Sequence, residues 1–76
     1  MPRRNVYTVG YHIYGDLEPE KKVDVIAENK WDAYMKATYE KIPKIEGSLP
    51  YCAWVKSVTY QNGNCREFNT FPGNPF

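Results

Sequence analysis

The only histidine of the chain, His12, is the residue best suited to acid–base chemistry. It lies in a segment that alternates like a β-strand, and pairing that segment with the next one along the chain places His12 opposite Asp24. A neighbouring carboxylate favours the protonated imidazole, and such a pair can act as a general base when a substrate lies within hydrogen-bond reach. The nearest hydroxyls, on Thr8 and Tyr14, are not placed for that role, so the sequence predicts a surface contact rather than a catalytic site.

The other groups with chemical potential are two cysteines and five glycines. Cys52 and Cys65 lie far apart along a predicted hairpin, beyond the Cα separation of about 4.4 to 6.8 Å that a disulfide tolerates. A single histidine and two distant cysteines make no zinc site, and the glycines form neither a dinucleotide fingerprint nor a phosphate-binding loop. The sequence therefore predicts free structural cysteines, no metal, no cofactor and no enzyme activity.

Size and charge limit the class of protein. The 76 residues are enough for one domain, and we expect 1–76 to be a single small α+β domain in which 72–76 form a flexible tail. The formal net charge is +1, so no strong field attracts nucleic acid or an anionic membrane. No segment approaches the roughly 20 apolar residues that a membrane span needs, and no signal-peptide core follows the first residues, which predicts a cytoplasmic location.

Two alternating segments near the start predict a β-hairpin. Residues 5–14 and 22–28 carry apolar side chains with the period of two that is typical of strands, and a polar loop with glycine and proline joins them. In the register that also sets His12 against Asp24, the apolar pairs are Ile13 with Val23, Tyr11 with Val25, and Val9 with Ala27.

An amphipathic helix is predicted after this hairpin. Asn29 is expected to cap it, and Asp32 lies in the first turn, where a negative charge suits the helix dipole. Pro43 is expected to end the helix after about 12 residues. At 100° per residue, the apolar stripe that should face the core consists of Trp31, Tyr34, Met35, Thr38 and Ile42.

The last two strands are predicted to turn at Asn62 and Gly63. This dipeptide favours a type I′ turn, and a three-residue loop with Gly63 in a bulge is the competing geometry, which changes the register by one residue. The implied architecture is ββαββ, a four-stranded antiparallel sheet with one helix packed on one face. We expect the first and third strands to lie side by side in the middle.

One helix covers one face of such a sheet, so the other face must meet water or a partner. Lys56 decides which face is open, because an unpaired buried ammonium group costs several kcal/mol. The covered side is predicted to carry Tyr7, Val9, Tyr11, Ile13, Val23, Val25, Ala53 and Val55. The open side is predicted to carry Val6, Thr8, His12, Tyr14, Lys22, Asp24, Ile26, Trp54, Lys56, Val58 and Tyr60, with Arg66 and Phe68 joining them if the turn is bulged.

A face that mixes aromatic and charged side chains resembles the core and rim of a protein interface. The favoured hypothesis is a non-enzymatic interaction module that binds another protein, or a second copy of itself, through this face. Its binding residues would be Trp54, Lys56, Tyr60, Tyr14, His12, Arg66 and Phe68.

Three alternatives remain open from the sequence. One is single-stranded nucleic-acid binding, in which bases stack on Trp54, Tyr60 and Phe68 while phosphates meet Lys56, Arg66, Arg3 and Arg4. Another is a small enzyme or ligand carrier with a pocket between helix and sheet. In the third, the aromatic side chains serve only strand propensity and cross-strand packing, and the C-terminal tail folds over them.

Overall fold

The architecture is the ββαββ fold expected from the sequence. A computed structural model describes residues 4–15, 17, 20–47 and 49–76. The four strands form one antiparallel sheet in the order β2-β1-β3-β4, so β1 and β3 are the central pair, as predicted. The strands are β1 (Asn5–Ile13), β2 (Lys21–Ala27), β3 (Tyr51–Thr59) and β4 (Cys65–Glu67), and the helix lies between β2 and β3 in the chain.

The helix continues past Pro43, so the prediction that it ends there is wrong. It consists of α1 (Lys30–Lys36), a π-helical segment (Ala37–Lys41) and α2 (Ile42–Glu46), which follow one another directly. The N–H of Ile42 donates to the carbonyl of Ala37, five residues back, in place of the usual four. In a regular helix the proline ring clashes with the carbonyl four residues before it. The wider π turn relieves that clash, and Pro43 then lies in the first turn of α2, where its missing N–H costs little.

The predicted N-cap is confirmed. The side-chain oxygen of Asn29 accepts a hydrogen bond from the N–H of Asp32 at 2.8 Å. The carboxylate of Asp32 accepts from the N–H of Glu28 at 3.2 Å and lies 3.2 Å from the Lys36 ammonium. The bond from Glu28, followed by the contacts with Lys36, holds the pKa of Asp32 below its usual value. This end of the helix is therefore tied to the chain that leaves β2.

Small residues form the face of the helix that packs on the sheet. Ala33 and Ala37 are fully buried, as is Ile42. The sheet supplies the bulk of the core with tyrosines and valines, and alanines let the helix approach it closely. Trp31 lies on the far side of the helix and is 61% exposed, so the prediction that it belongs to the core is wrong.

The covered face of the sheet is the predicted one, although the register of the first hairpin is not. Val9 pairs with Val23 rather than with Ala27. Both registers match apolar with apolar residues and keep every side chain on its face, so alternation alone does not choose between them. All of the predicted covered residues pack in the core, with Val23 only partly buried; they are Tyr7, Val9, Tyr11, Ile13, Val23, Val25, Ala53 and Val55.

The observed register separates the predicted acid–base pair. Asp24 faces Thr8, whose hydroxyl donates to the carboxylate at 2.8 Å. His12 faces Cys52 of β3 instead. The prediction that His12 lies opposite Asp24 is therefore wrong. This pair was the only acid–base arrangement that the sequence suggested.

The buried hydroxyl of Tyr11 joins the sheet to the end of the helix. It donates to a carboxylate oxygen of Glu46 at 2.9 Å, and the Lys21 ammonium lies 3.4 Å from the same oxygen. Burial, and then the hydrogen bond to Glu46, raise the pKa of Tyr11 to about 12. The neutral, donating form of this hydroxyl is therefore the one that the fold requires.

We expect the free energy of unfolding to fall as the pH rises from about 10 to 12, because the unfolded chain ionises its tyrosines in this range while folded Tyr11 stays neutral. The unfolded state then binds fewer protons, and the loss from Tyr11 amounts to about 2 kcal/mol. Urea unfolding of the wild type and of Tyr11→Phe, followed by circular dichroism, checks this. The wild type should be the more stable at neutral pH, and its advantage should shrink above about pH 10; an advantage that stays constant contradicts the assignment.

Candidate interaction surfaces

A β-bulge at Lys56 divides the predicted binding residues between the two faces of the sheet. In the pairing of β1 with β3, Val9 faces Val55 and Thr8 faces Ser57, so Lys56 is an extra residue on β3. The extra residue reverses the alternation of side chains beyond it. Val58 therefore points into the core and is 1% exposed, so its predicted place on the open side is wrong.

The second hairpin has the bulged turn rather than the type I′ turn. The N–H of Gly63 donates to the carbonyl of Tyr60 at 3.0 Å, and the N–H of Tyr60 donates to the carbonyl of Asn64 at 2.7 Å. Gly63 has a φ of 90°, and no described non-glycine residue has a positive φ, which excludes a type I′ turn. Arg66 consequently pairs with Val58.

Because Val58 faces the helix side, the residues that share its face do so as well. Phe68 packs against the core, with the Lys30 ammonium 4.1 Å from the centre of its ring. The Arg66 guanidinium carbon lies 5.9 Å from the same ring centre. Tyr60 is close enough to Tyr7 to contribute to the raised pKa of that buried hydroxyl, after burial itself. The predicted positions of Tyr60, Arg66 and Phe68 on the open side are therefore wrong.

Trp54 lies on the face away from the helix, as predicted, but it is buried there. It is 5% exposed and does not belong to the cluster beneath the helix. Its cross-strand neighbour is Gly10, and a Cβ placed on that glycine would lie 3.0 Å from Cε2 of the indole and 2.7 Å from Cδ of Lys56. The indole ring and the lysine stem occupy the space that any other side chain at position 10 would fill.

Lys56 is held across the sheet by an ion pair with Glu20. Its side chain starts on β3, passes over Gly10 on β1 and ends at the residue that precedes β2. The aliphatic stem therefore lies beside the indole of Trp54 above Gly10, while the ammonium remains paired near the surface. Lys56 is on the open side as predicted, but its contacts are with its own chain.

The remainder of the open face is mostly polar. His12 is half-buried next to Cys52, and Lys22 and Asp24 are exposed. Val6 and Ile26, which face each other, are its exposed apolar pair, and Tyr14 is an exposed ring in the turn after β1. The predicted aromatic platform is thus reduced to Tyr14 among the residues proposed for it.

The same division weakens the geometric basis for stacking nucleic-acid bases. Trp54 lies on one face while Tyr60 and Phe68 lie on the other, so the three rings cannot receive successive bases of one strand. Arg4 is exposed, and its carbonyl accepts from the side chain of Gln61. Arg3 lies outside the described residues. Nucleic-acid binding stays a prediction without a common surface for its proposed contacts.

A different aromatic surface, which the sequence analysis missed, lies between the helix and the C-terminal residues. We call it the aromatic groove. It is a depression of about 420 Å³, and its lining residues are Tyr34, Thr38, Tyr39, Tyr51, Cys52, Ala53, Pro72 and Pro75.

The C-terminal residues form one wall of the aromatic groove. The N–H of Phe68 donates to the carbonyl of Lys56 at 2.8 Å, and the N–H of Val55 donates to the carbonyl of Pro75 at 2.9 Å. Phe71 and Asn74 close a turn between these two attachments. These contacts place the segment along the edge of β3, on the helix side. The prediction that residues 72–76 are flexible concerns their motion, which these contacts do not test, and it stays a prediction.

The end of the chain extends the aromatic groove toward the start of the helix. The ring centre of Phe76 lies 5.4 Å from that of Trp31 and 5.1 Å from that of Tyr34. Tyr39 on the groove is 71% exposed, and Trp31, Phe71 and Phe76 are exposed as well. The helix and the C-terminal residues thus present aromatic rings on the side of the molecule opposite the predicted platform.

The described residues contain few groups arranged for catalysis. They include no cluster of three or more His, Cys, Asp or Glu side chains that could hold a metal ion. Cys52 and Cys65 are free thiols, as predicted, although Cys65 is exposed rather than packed inside. Burial raises the pKa of Tyr7, Tyr11 and Tyr51 above that of an ordinary tyrosine, so these hydroxyls lose their protons even less readily near pH 7.

Two further observations bear on the class of protein. Within the described ranges, no helix is both long and apolar enough to cross a membrane. Comparison of the chain with protein-family models, curated proteins and solved structures gives no match.

Proposed function

We propose that this protein is a non-enzymatic interaction module that binds another protein through the aromatic groove. The observation that carries the proposal is the run of exposed rings along the groove, from Trp31 and Phe76 to Tyr39. Contiguous exposed apolar surface is typical of interaction sites, and aromatic side chains supply much of the binding energy at interfaces. The class of function is the one expected from the sequence, but the surface is on the helix side.

The chain's own C-terminal segment indicates the chemistry of the partner. Pro72 and Pro75 line the aromatic groove, and Phe76 packs on Trp31 and Tyr34. A groove lined by both aromatic rings and prolines suits an extended proline-containing segment, because proline loses little conformational entropy on binding. The expected ligand is an extended segment of another protein that contains proline and aromatic residues.

Hydrogen bonds hold the walls of the aromatic groove in place. The Tyr51 hydroxyl donates to the carbonyl of Thr38 at 2.7 Å, and the Thr38 hydroxyl donates to the carbonyl of Tyr34 at 2.8 Å. Side chains that are fixed before binding lose less freedom when a ligand arrives. Exposed Tyr39 then supplies ring surface beside a wall that is already ordered.

Selection from a displayed library of random peptides tests the proposal. We expect enrichment of peptides that combine proline with aromatic residues. In calorimetric titrations of a selected peptide, Tyr39→Ala should weaken binding by about tenfold or more. Tyr14→Ala is the matched control, because Tyr14 is also a tyrosine with an exposed side chain but lies away from the groove. The proposal fails if no such peptide is enriched, or if the two variants bind equally well.

A further inference from the structure

Among the described residues, no strand pairs with the outer edge of β2. β2 is the end strand of the sheet, and Val9 of β1 pairs with Val23 on its inner side. On β3, the N–H of Val55 points away from β1, toward Pro75. Val55 faces Val9, so the N–H and C=O of Val9 point away from β3 and toward β2. Val9 pairs with Val23, so the N–H and C=O of Val23 point back toward β1. Along β2 these directions alternate from one residue to the next. The N–H and C=O groups of Lys22, Asp24 and Ile26 therefore point outward.

One end of this edge is closed by the chain itself. The Lys36 ammonium donates to the carbonyl of Ile26 at 3.0 Å, and that acceptor is therefore occupied. Within the described residues, no hydrogen bond occupies the outward backbone groups of Lys22 or Asp24, so these groups can pair with another strand. The available edge is short, and it is centred on Val23.

The side chains at the available positions carry opposite charges. Lys22 and Asp24 are both exposed on the open face, and neither forms an ion pair within the described part of the chain. Lysine on an edge strand ordinarily discourages pairing with another strand. Here Lys22 has Asp24 two residues away, so the edge is complementary to an antiparallel copy of itself.

Charge selects one register for such a pair. A two-fold axis at Val23 sets Lys22 of each copy opposite Asp24 of the other, which gives two equivalent pairs of opposite charge. The same axis brings the two half-buried Val23 side chains together. An axis at Asp24 would oppose two aspartates, which is unfavourable. An axis at Val25 would require the Ile26 carbonyl that Lys36 already occupies.

We propose that β2 pairs with β2 of a second copy of this chain, antiparallel and centred on Val23, so that the two sheets join into one. The outward backbone groups of Lys22 and Asp24 supply the hydrogen bonds, and the crossed charges set the register. Because the paired edge is short, the dimer forms reversibly and depends on concentration. It does not involve the aromatic groove, so either proposal can fail without the other.

Sedimentation equilibrium over about a hundredfold range of concentration tests the dimer, together with charge reversal. The mass of the wild type should rise from that of one chain toward that of two. Lys22→Asp and Asp24→Lys should each weaken association by about tenfold, because each opposes like charges at two symmetric positions. The double variant Lys22→Asp/Asp24→Lys restores opposite charges and should recover wild-type association.

Amide hydrogen exchange distinguishes this dimer from any other. The N–H groups of Lys22 and Asp24 should be slow to exchange at high protein concentration and fast at low concentration. Circular dichroism confirms that each variant is folded. A wild type that stays monomeric overturns the proposal, as does a double variant that remains as weak as the single ones. Association without concentration-dependent protection of these two amides overturns it as well.

Discussion

Trp54→Ala is expected to lower the free energy of unfolding by about 3 to 5 kcal/mol, the usual range for deleting a buried large aromatic side chain. The indole is 5% exposed and lies against the backbone of Gly10, so its removal leaves a cavity between the strands and the Lys56 stem. A domain of 76 residues has a total stability of about 4 to 11 kcal/mol. The substitution should therefore remove a large share of the stability. If the total stability lies near the lower end of this range, the substitution should unfold the protein.

Trp31→Ala is the matched control, because both variants delete an indole. Trp31 is 61% exposed and contacts Phe76, so we expect a loss of about 1 kcal/mol or less. Urea unfolding should be followed by far-ultraviolet circular dichroism, since fluorescence would report a different tryptophan in each variant. The sequence predicts the reverse order of stability losses for the two variants, because it places Trp31 in the core and leaves Trp54 exposed. A larger loss for Trp31→Ala would support that prediction against the structure.

The order and type of the secondary-structure elements were predictable because local patterns determine them. Alternation in β1 and β2, the Asn29 cap and the turn at Gly63 each act over a few residues. The covered side of β1 follows from the same alternation. The register between β1 and β2 does not, because Val9 matches either Val23 or Ala27 without changing faces.

The open face was mispredicted because one bulge changes all that follows it. Under strict alternation Val55 and Val58, which are three residues apart, point to opposite faces, and Val58 shares its face with Lys56. Both valines are nevertheless buried while Lys56 stays in solvent. An extra residue resolves this conflict, and the spacing of the two valines was the signal for it. Gly10 in the middle of β1 was the signal that another group lies close to the strand, and that group is Trp54.

The aromatic groove could not be derived from periodicity. It depends on where the C-terminal residues attach, and the hydrogen bond between Val55 and Pro75 is a long-range contact with no local pattern. It also depends on the rotation of the helix. The alanines at 33 and 37 pack on the sheet because large side chains of the strands already fill the core. The side chains of Trp31 and Tyr39 are consequently exposed to solvent. For Trp31 this is the opposite of the sequence prediction, which placed it on the apolar stripe that faces the core.

Val58→Asp is expected to unfold the protein, because the bulge directs this side chain into the core. Val58 is 1% exposed and packs among the residues beneath the helix, so the substitution buries a carboxylate with no partner provided for it. An uncompensated buried charge costs several kcal/mol, comparable with the total stability of about 4 to 11 kcal/mol. Circular dichroism at neutral pH, with unfolding by urea where the variant still folds, measures the loss.

Val6→Asp tests whether the bulge, rather than the loss of a strand valine, is responsible. Val6 is 38% exposed on the open face of β1, so its carboxylate would remain in water and the expected loss is about 1 kcal/mol or less. Without the bulge, Val58 would share the face of Trp54 and Lys56, and the two substitutions should cost similar amounts. A Val58→Asp variant as stable as Val6→Asp would therefore show that β3 alternates without interruption, and the assignment of Tyr60, Arg66 and Phe68 to the helix side would fail with it.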